Sequence, residues 1–126
     1  MNAHLKTLVL GASTNPQRYA FRAITLLRQH AIPTVGYGLR AGQVADVEIL
    51  TDWQAVIAEG PYHTVTLYLN PKRQAEYRER IEALKPKRVL FNPGTENPPF
   101  EAELLNQEIT PEQACTLVLL NTNQFA

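Results

Sequence analysis

Gly11, Ser13, Asn15 and Arg18 stand close together in the stretch 6–18, Lys-Thr-Leu-Val-Leu-Gly-Ala-Ser-Thr-Asn-Pro-Gln-Arg, and their shared chemistry is that of an anion seat. A glycine lets the backbone approach an oxyanion closely, a serine offers a hydroxyl, and an arginine carries a permanent positive charge. Residues 7–10 before them form a short apolar run with β-branched members, and Asn15-Pro16 reads as the opening of a helix. Strand, glycine turn and helix start in that order aim unpartnered helical N–H groups and the positive end of the helix dipole at the turn.

Asn-Pro recurs at 70–71, 92–93 and 97–98, each time shortly after a predicted strand. At 15, 70 and 97 the pair has a structural reading, in which asparagine caps a helix and proline takes the first helical position, where its missing donor costs nothing. That reading is compatible with a site at the same strand ends.

The elements that must position these residues alternate along the chain. Apolar residues at Ala20, Ala23, Ile24, Leu27 and Ala31 predict an amphipathic helix over 17–31. Strands are expected at 34–38, 47–50, 64–69, 88–91 and 116–120, with further helices at 51–57, 71–84 and 98–107 and a loop at 39–42. Parallel strands joined by crossover helices satisfy that alternation, because no hairpin can close a parallel pair. The expected fold is therefore α/β, a Rossmann-like doubly wound and mainly parallel sheet with helices on both faces. Numbering its strands along the chain, the predicted order is 3-2-1-4-5 with the C-terminal strand added at the edge. In such a sheet ligands bind outside the carboxyl ends of the strands at the switch point, so the loops at 11–16, 38–42, 70–71 and 92–97 should meet around one crevice.

One domain over residues 1–126 is expected from the length, and a hydrophobic fraction of 44% is ordinary for a globular chain. Twelve basic and twelve acidic residues cancel, which argues against a general nucleic-acid binder. The lone Cys115 gives no disulfide framework, and no run approaches a membrane span or a signal peptide. A cytoplasmic location is the expectation. A homodimer through an exposed edge strand or an aromatic patch near Trp53 or Phe125 is left open.

For a nicotinamide dinucleotide the Gly-x-Gly-x-x-Gly fingerprint is missing, since Gly11 is followed by Ala12, Ser13, Thr14 and Asn15. The end of the second strand, Tyr37-Gly38-Leu39-Arg40, carries an arginine where a ribose-gripping carboxylate would stand. Arg40 suits a phosphorylated ribose, as in NADP or coenzyme A, or is a solvated loop charge. For the reactive types, His30 reads as compensating a helix C-terminus, His4 and His63 have no partner in sequence, Cys115 reads as a small core residue, and Glu96 as a carboxylate that orients loop N–H groups. No catalytic or metal-ligating set emerges.

Three blocks carry a resemblance: Val-Leu-Gly-Ala-Ser-Thr-Asn-Pro-Gln-Arg at 9–18, Lys-Pro-Lys-Arg-Val-Leu-Phe-Asn-Pro-Gly-Thr-Glu-Asn at 85–97, and Ala-Cys-Thr-Leu-Val-Leu-Leu at 114–120. In that order and at this length the chain resembles the stand-alone CoA-binding-domain proteins, a family similar to the N-terminal domain of the succinyl-CoA synthetase α subunit. The resemblance implies a small-molecule nucleotide ligand, coenzyme A or an acyl-CoA. It implies that Gly11, Ala12, Ser13 and Arg18 face the pyrophosphate and that Gly38 and Arg40 face the adenosine and its 3′-phosphate. By the same resemblance Leu69, Asn70 and Pro71 border the pantetheine path, and Asn92 and Gly94 line the pocket mouth. The second loop departs from the family's usual Pro-Val-Asn-Pro-Lys, keeping the charge and losing the proline. Non-catalytic binding of CoA is the leading expectation. The alternative is a small NADP-linked or other nucleotide-dependent enzyme acting as an oligomer.

Overall fold

The computed structural model describes residues 2–126. Seven strands form one sheet: β1 (Thr7–Leu10), β2 (Thr34–Tyr37), β3 (Gly42–Val44), β4 (Val47–Leu50), β5 (Thr64–Leu67), β6 (Arg88–Phe91) and β7 (Thr110–Gln113). The helices are α1 (Tyr19–Gln29), α2 (Trp53–Glu59), α3 (Pro71–Gln74), α4 (Arg78–Leu84), α5 (Pro98–Asn106) and α6 (Thr116–Asn121). The strand order is β3-β4-β2-β1-β5-β6-β7. Every pairing is parallel except that of β3 with β4.

This is the predicted doubly wound sheet with its central order intact, because β4, β2, β1, β5 and β6 are the five strands of the 3-2-1-4-5 reading. β1, β5 and most of β6 are buried, as a sheet covered on both faces requires. Leu8, Leu10, Val65, Leu67 and Phe91 pack on one face with Val56, Ile81, Phe100 and Leu104 from α2, α4 and α5. Val9 and Leu90 pack on the other with Ala20, Ile24 and Leu27 of α1 and Leu120 of α6.

Four expectations are corrected. Residues 116–120 form a helix, α6, and the C-terminal strand is β7. A short run such as Thr-Leu-Val-Leu-Leu fits a buried strand or a helix flank equally; here it lies across the sheet with Leu119 and Leu120 in the α1-side core. The loop expected at 39–42 runs into β3, which folds back on β4 as an antiparallel edge hairpin. The helix expected over 71–84 is broken into α3 and α4, because the buried Gln74 side chain donates to Leu69 O and Thr95 O at 2.8 Å and ties that turn to the loop after β6. Asn15-Pro16 does not cap α1. Asn15 Oδ1 accepts the Gln17 N–H at 3.0 Å in a separate turn, and the helix begins at Tyr19 with no side-chain cap. Asn70 and Asn97 do cap, accepting the N–H groups of Arg73 and Phe100.

At the amino ends of the strands, opposite the strand carboxyl ends, the Arg88 guanidinium donates to Phe125 O and stacks over the Phe125 ring, 4.4 Å from its centroid. Phe125 is buried within its own chain, in the core on the α1 side of the sheet. Trp53 is half-buried and packs edge-on against Tyr37, at 5.2 Å. Burial and the charges of Arg88, His4 and Lys87 hold the nearby His63 imidazole below its ordinary range. The unfolded chain therefore takes up this proton more readily, and the stability present above a pH of about 6.5 is lost as pH falls through the folded His63 value. A His63→Gln variant is expected to show a shallower loss of stability in urea titrations between about pH 7 and about pH 5. An unchanged slope would place the acid sensitivity elsewhere.

Candidate functional site

β1 lies between β2 and β5, so the chain leaves its carboxyl end at the point where strand order reverses. A cavity of about 440 Å³ opens there. Gly11, Ala12, Ser13, Asn15 and Arg18 line it from the segment between β1 and α1. Gly38 and Arg40 line it from the end of β2, and Leu69 from the end of β5.

Two glycines let these segments meet. Gly11 has φ of 91°, and a side chain there would stand 2.9 Å from Tyr68 O. Gly38 lies directly against Ala12 O, where a Cβ would clash. The close approach also spends donors, because the N–H groups of Gly11 and Ala12 both donate to Tyr37 O, at 3.0 and 2.9 Å. The Asn15 N–H is taken by Ser13 Oγ at 3.0 Å. Among the described residues the turn's unpartnered donors are therefore the N–H groups of Ser13 and Thr14, beside an α1 N-terminus without a side-chain cap. Such N–H groups are what an oxyanion binds. The expectation that Gly11 and Ala12 face a pyrophosphate is compatible with this only as close approach of backbone, since their own N–H groups point into the sheet ladder.

Asn70, Pro71, Asn92 and Gly94 are not part of the cavity wall. Asn70 and Pro71 are exposed at the start of α3. Gly94 is exposed in the loop after β6, where its N–H donates to Glu96 Oε1 at 2.9 Å, the loop-orienting role read for Glu96. Asn92 is buried, and its side chain is spent on Thr66, Leu67 and Thr116. The three histidines, Cys115 and Glu96 also stand away from the wall.

Thr14, Tyr37, Tyr68, Arg73 and Tyr77 line the cavity without having been singled out from the sequence. Tyr77 and Tyr37 read only as helix stripe and strand, and they meet because the break after α3 swings Tyr77 onto β2, with ring centroids 5.8 Å apart. Tyr68 contributes a wall while its hydroxyl is buried near the Thr66 and Thr116 hydroxyls without a hydrogen bond of ordinary geometry among the described residues, and burial, against a smaller opposing pull from those two hydroxyls, pushes this phenol up to about 12. Tyr68→Phe is expected to leave stability unchanged or raise it by up to about 1 kcal/mol, since an unpaired polar group is removed without a cavity. A loss of more than about 1 kcal/mol in thermal unfolding would show that the hydroxyl has a bonded partner.

A family model described as CoA binding domain matches residues 6–121. The chain belongs to that family. No curated protein matches it. Among solved structures it is similar to an uncharacterised protein at 39% identity, covering 98% of this chain and 99% of that one, with a TM-score of 0.87. It is also similar to a Thermus thermophilus protein (19% identity, 94% and 89% of the two chains, TM-score 0.83) and to a hypothetical protein from Pyrococcus horikoshii OT3 (20%, 98% and 85%, TM-score 0.82). The latter two likenesses speak to the fold alone. The family's Rossmann-like architecture and CoA association agree with the resemblance carried by the three sequence blocks. Among the described residues no helix is long and apolar enough to cross a membrane.

Proposed function

We propose that the protein binds coenzyme A or an acyl-CoA through its diphosphate at the carboxyl ends of β1, β2 and β5, and holds the ligand without transforming it. The observation that carries this reading is the cavity at the switch point, which has Arg18 and Arg40 and the unpartnered Ser13 and Thr14 N–H groups in its wall and no acidic residue. A multiply charged phosphate ligand suits such a wall, and the family supplies CoA as the ligand class. The reading as a holder is supported by the same wall, in which hydroxyls, phenols, arginines and backbone groups occur and His63, Cys115 and Glu96 do not.

Arg40 also suits the 2′-phosphate of NADP, and the test is arranged to separate the two. Calorimetric titration with CoA, acetyl-CoA, NAD and NADP should give heats for the first two only. Tight binding of NADP with silence from CoA would overturn the proposal. Arg40→Ala should weaken CoA by roughly tenfold to a hundredfold, the value of a charged hydrogen bond of about 1.5–3 kcal/mol, and should weaken dephospho-CoA much less. Equal losses for both ligands would remove the 3′-phosphate from Arg40.

A further inference from the structure

We propose that Gln74 is a positioning residue for the cavity: its amide moors the segment 69–77 to the loop after β6 and so sets the β5 side of the wall. For its ligand this rests on the CoA reading above, to which it adds a residue that acts on the ligand without touching it. Leu69, Arg73 and Tyr77 line the cavity, and Gln74, fully buried, does not. Gln74 Nε2 donates to Leu69 O and to Thr95 O, both at 2.8 Å, and Gln74 Oε1 accepts from Asn97 Nδ2 at 2.9 Å. Two backbone carbonyls demand the donor end of the amide, so its orientation is fixed. The Asn97 amide is fixed in turn, because its Oδ1 accepts the Phe100 N–H at the start of α5.

The two sides of this tie are held unequally. In the loop after β6, the Thr95 N–H and hydroxyl both donate to Asn92 O, at 2.9 and 2.7 Å, and the Asn97 N–H donates to Glu101 Oε2 at 2.9 Å. The segment 69–77 has no comparable frame. Its backbone bonds are local, Gln74 N–H to Asn70 O, Tyr77 N–H to Gln74 O and Ile81 N–H of α4 to Tyr77 O, and so is the Asn70 cap on Arg73. α3 is a single turn, too short to stand by itself. Among the described residues, the Gln74 amide makes the hydrogen bonds of ordinary geometry that join this segment to a distant one, and no ion pair does so. The Tyr77 ring adds packing against Tyr37 and Trp53, with its hydroxyl beside that of Tyr37. The loop after β6 is thus the anchor, and the cavity wall is the part that depends on it.

Gln74→Met, which matches the side chain in length and removes the amide, tests this by calorimetric titration of CoA into the folded chain. Affinity should fall by about tenfold to a hundredfold, the scale of a displacement of about 1 Å in a supporting group. The single tryptophan, Trp53, stands 5.9 Å from the Tyr77 ring, so its emission without ligand should change as well. Should Gln74→Met fail to fold, Asn97→Ser retains a cap for α5 and removes the partner of Gln74 Oε1; it should weaken CoA by about threefold to tenfold. Asn92→Ala is the control, a buried amide at the neighbouring strand end whose loss should lower stability and leave both readouts as in the unaltered chain. Unchanged CoA affinity in the folded variant would overturn the proposal, and so would an equal loss in Asn92→Ala, which would make the effect one of stability alone. Silence from CoA with the unaltered chain would instead overturn the CoA reading; the mooring is then judged by Trp53 emission, and an unchanged spectrum in the variant overturns it too.

Discussion

Ser13→Asp is expected to weaken CoA binding by about a thousandfold while the fold stands. Ser13 is half-buried in the cavity wall, and its own N–H is one of the two donors in the turn that nothing among the described residues uses. A carboxylate about 4 Å from a phosphate, in the partly screened surroundings of a protein surface, costs about 4 kcal/mol, which is the stated factor. The substitution is compatible with the local backbone, because an aspartate oxygen can take over the Asn15 N–H that Ser13 Oγ now accepts at 3.0 Å. Ser13→Ala, which removes one neutral hydroxyl, should cost about 1 kcal/mol or less. Calorimetry paired with thermal unfolding checks both. A Ser13→Asp chain with native melting and native CoA affinity would mean that the anion sits elsewhere.

Asn92→Ala should lower the unfolding free energy by about 3 kcal/mol and leave CoA affinity nearly unchanged in the folded fraction. The Asn92 amide donates to Thr66 Oγ1 at 2.7 Å and to Leu67 O at 2.9 Å, and its Oδ1 accepts the N–H of Thr116, the first residue of α6, at 2.8 Å. Truncation strands two or three buried polar groups, each worth about 1–3 kcal/mol when left unpaired, with some relief from entering water. The midpoint of a urea transition measures the loss. A change below about 1 kcal/mol would show that the hub is not a fastening of α6, and a large loss of affinity in a chain that still folds would return Asn92 to the ligand site.

The central five strands were legible because each is a short apolar run bounded by glycine, proline or a helical stripe, and because parallel crossovers leave few ways to arrange them. The edges were not. β7 reads Thr-Pro-Glu-Gln, a polar segment with a proline, and its membership in the sheet comes from register with β6 rather than from composition. β3 depends on Gly42 passing against the Thr14 side chain, a contact between segments far apart in sequence. Edge strands feel packing on fewer sides, so their residues are less constrained.

The site divides along the same line. Gly11, Ser13, Arg18, Gly38 and Arg40 could be named from the residues and the family blocks, since an anion turn has a local signature and the switch point follows from strand order. Tyr77 could not, because it reaches the cavity beyond the point where Gln74 binds the carbonyls of Leu69 and Thr95 and the expected helix breaks, and neither could Arg73, because nothing in local spacing says which side chain of the first turn of α3 faces the crevice. Asn92 shows the converse, a polar residue at a strand end whose local context matches a site and whose side chain is taken by partners up to 26 positions away. By itself, then, the order of residues determined the alternation of elements, the parallel core and the anion turn, all of which rest on interactions within a few positions or on topology. Which donors stay unpaired, which arginines share a wall and which asparagine is structural were decided in three dimensions, because hydrogen bonds satisfied across distant segments leave no trace in local spacing.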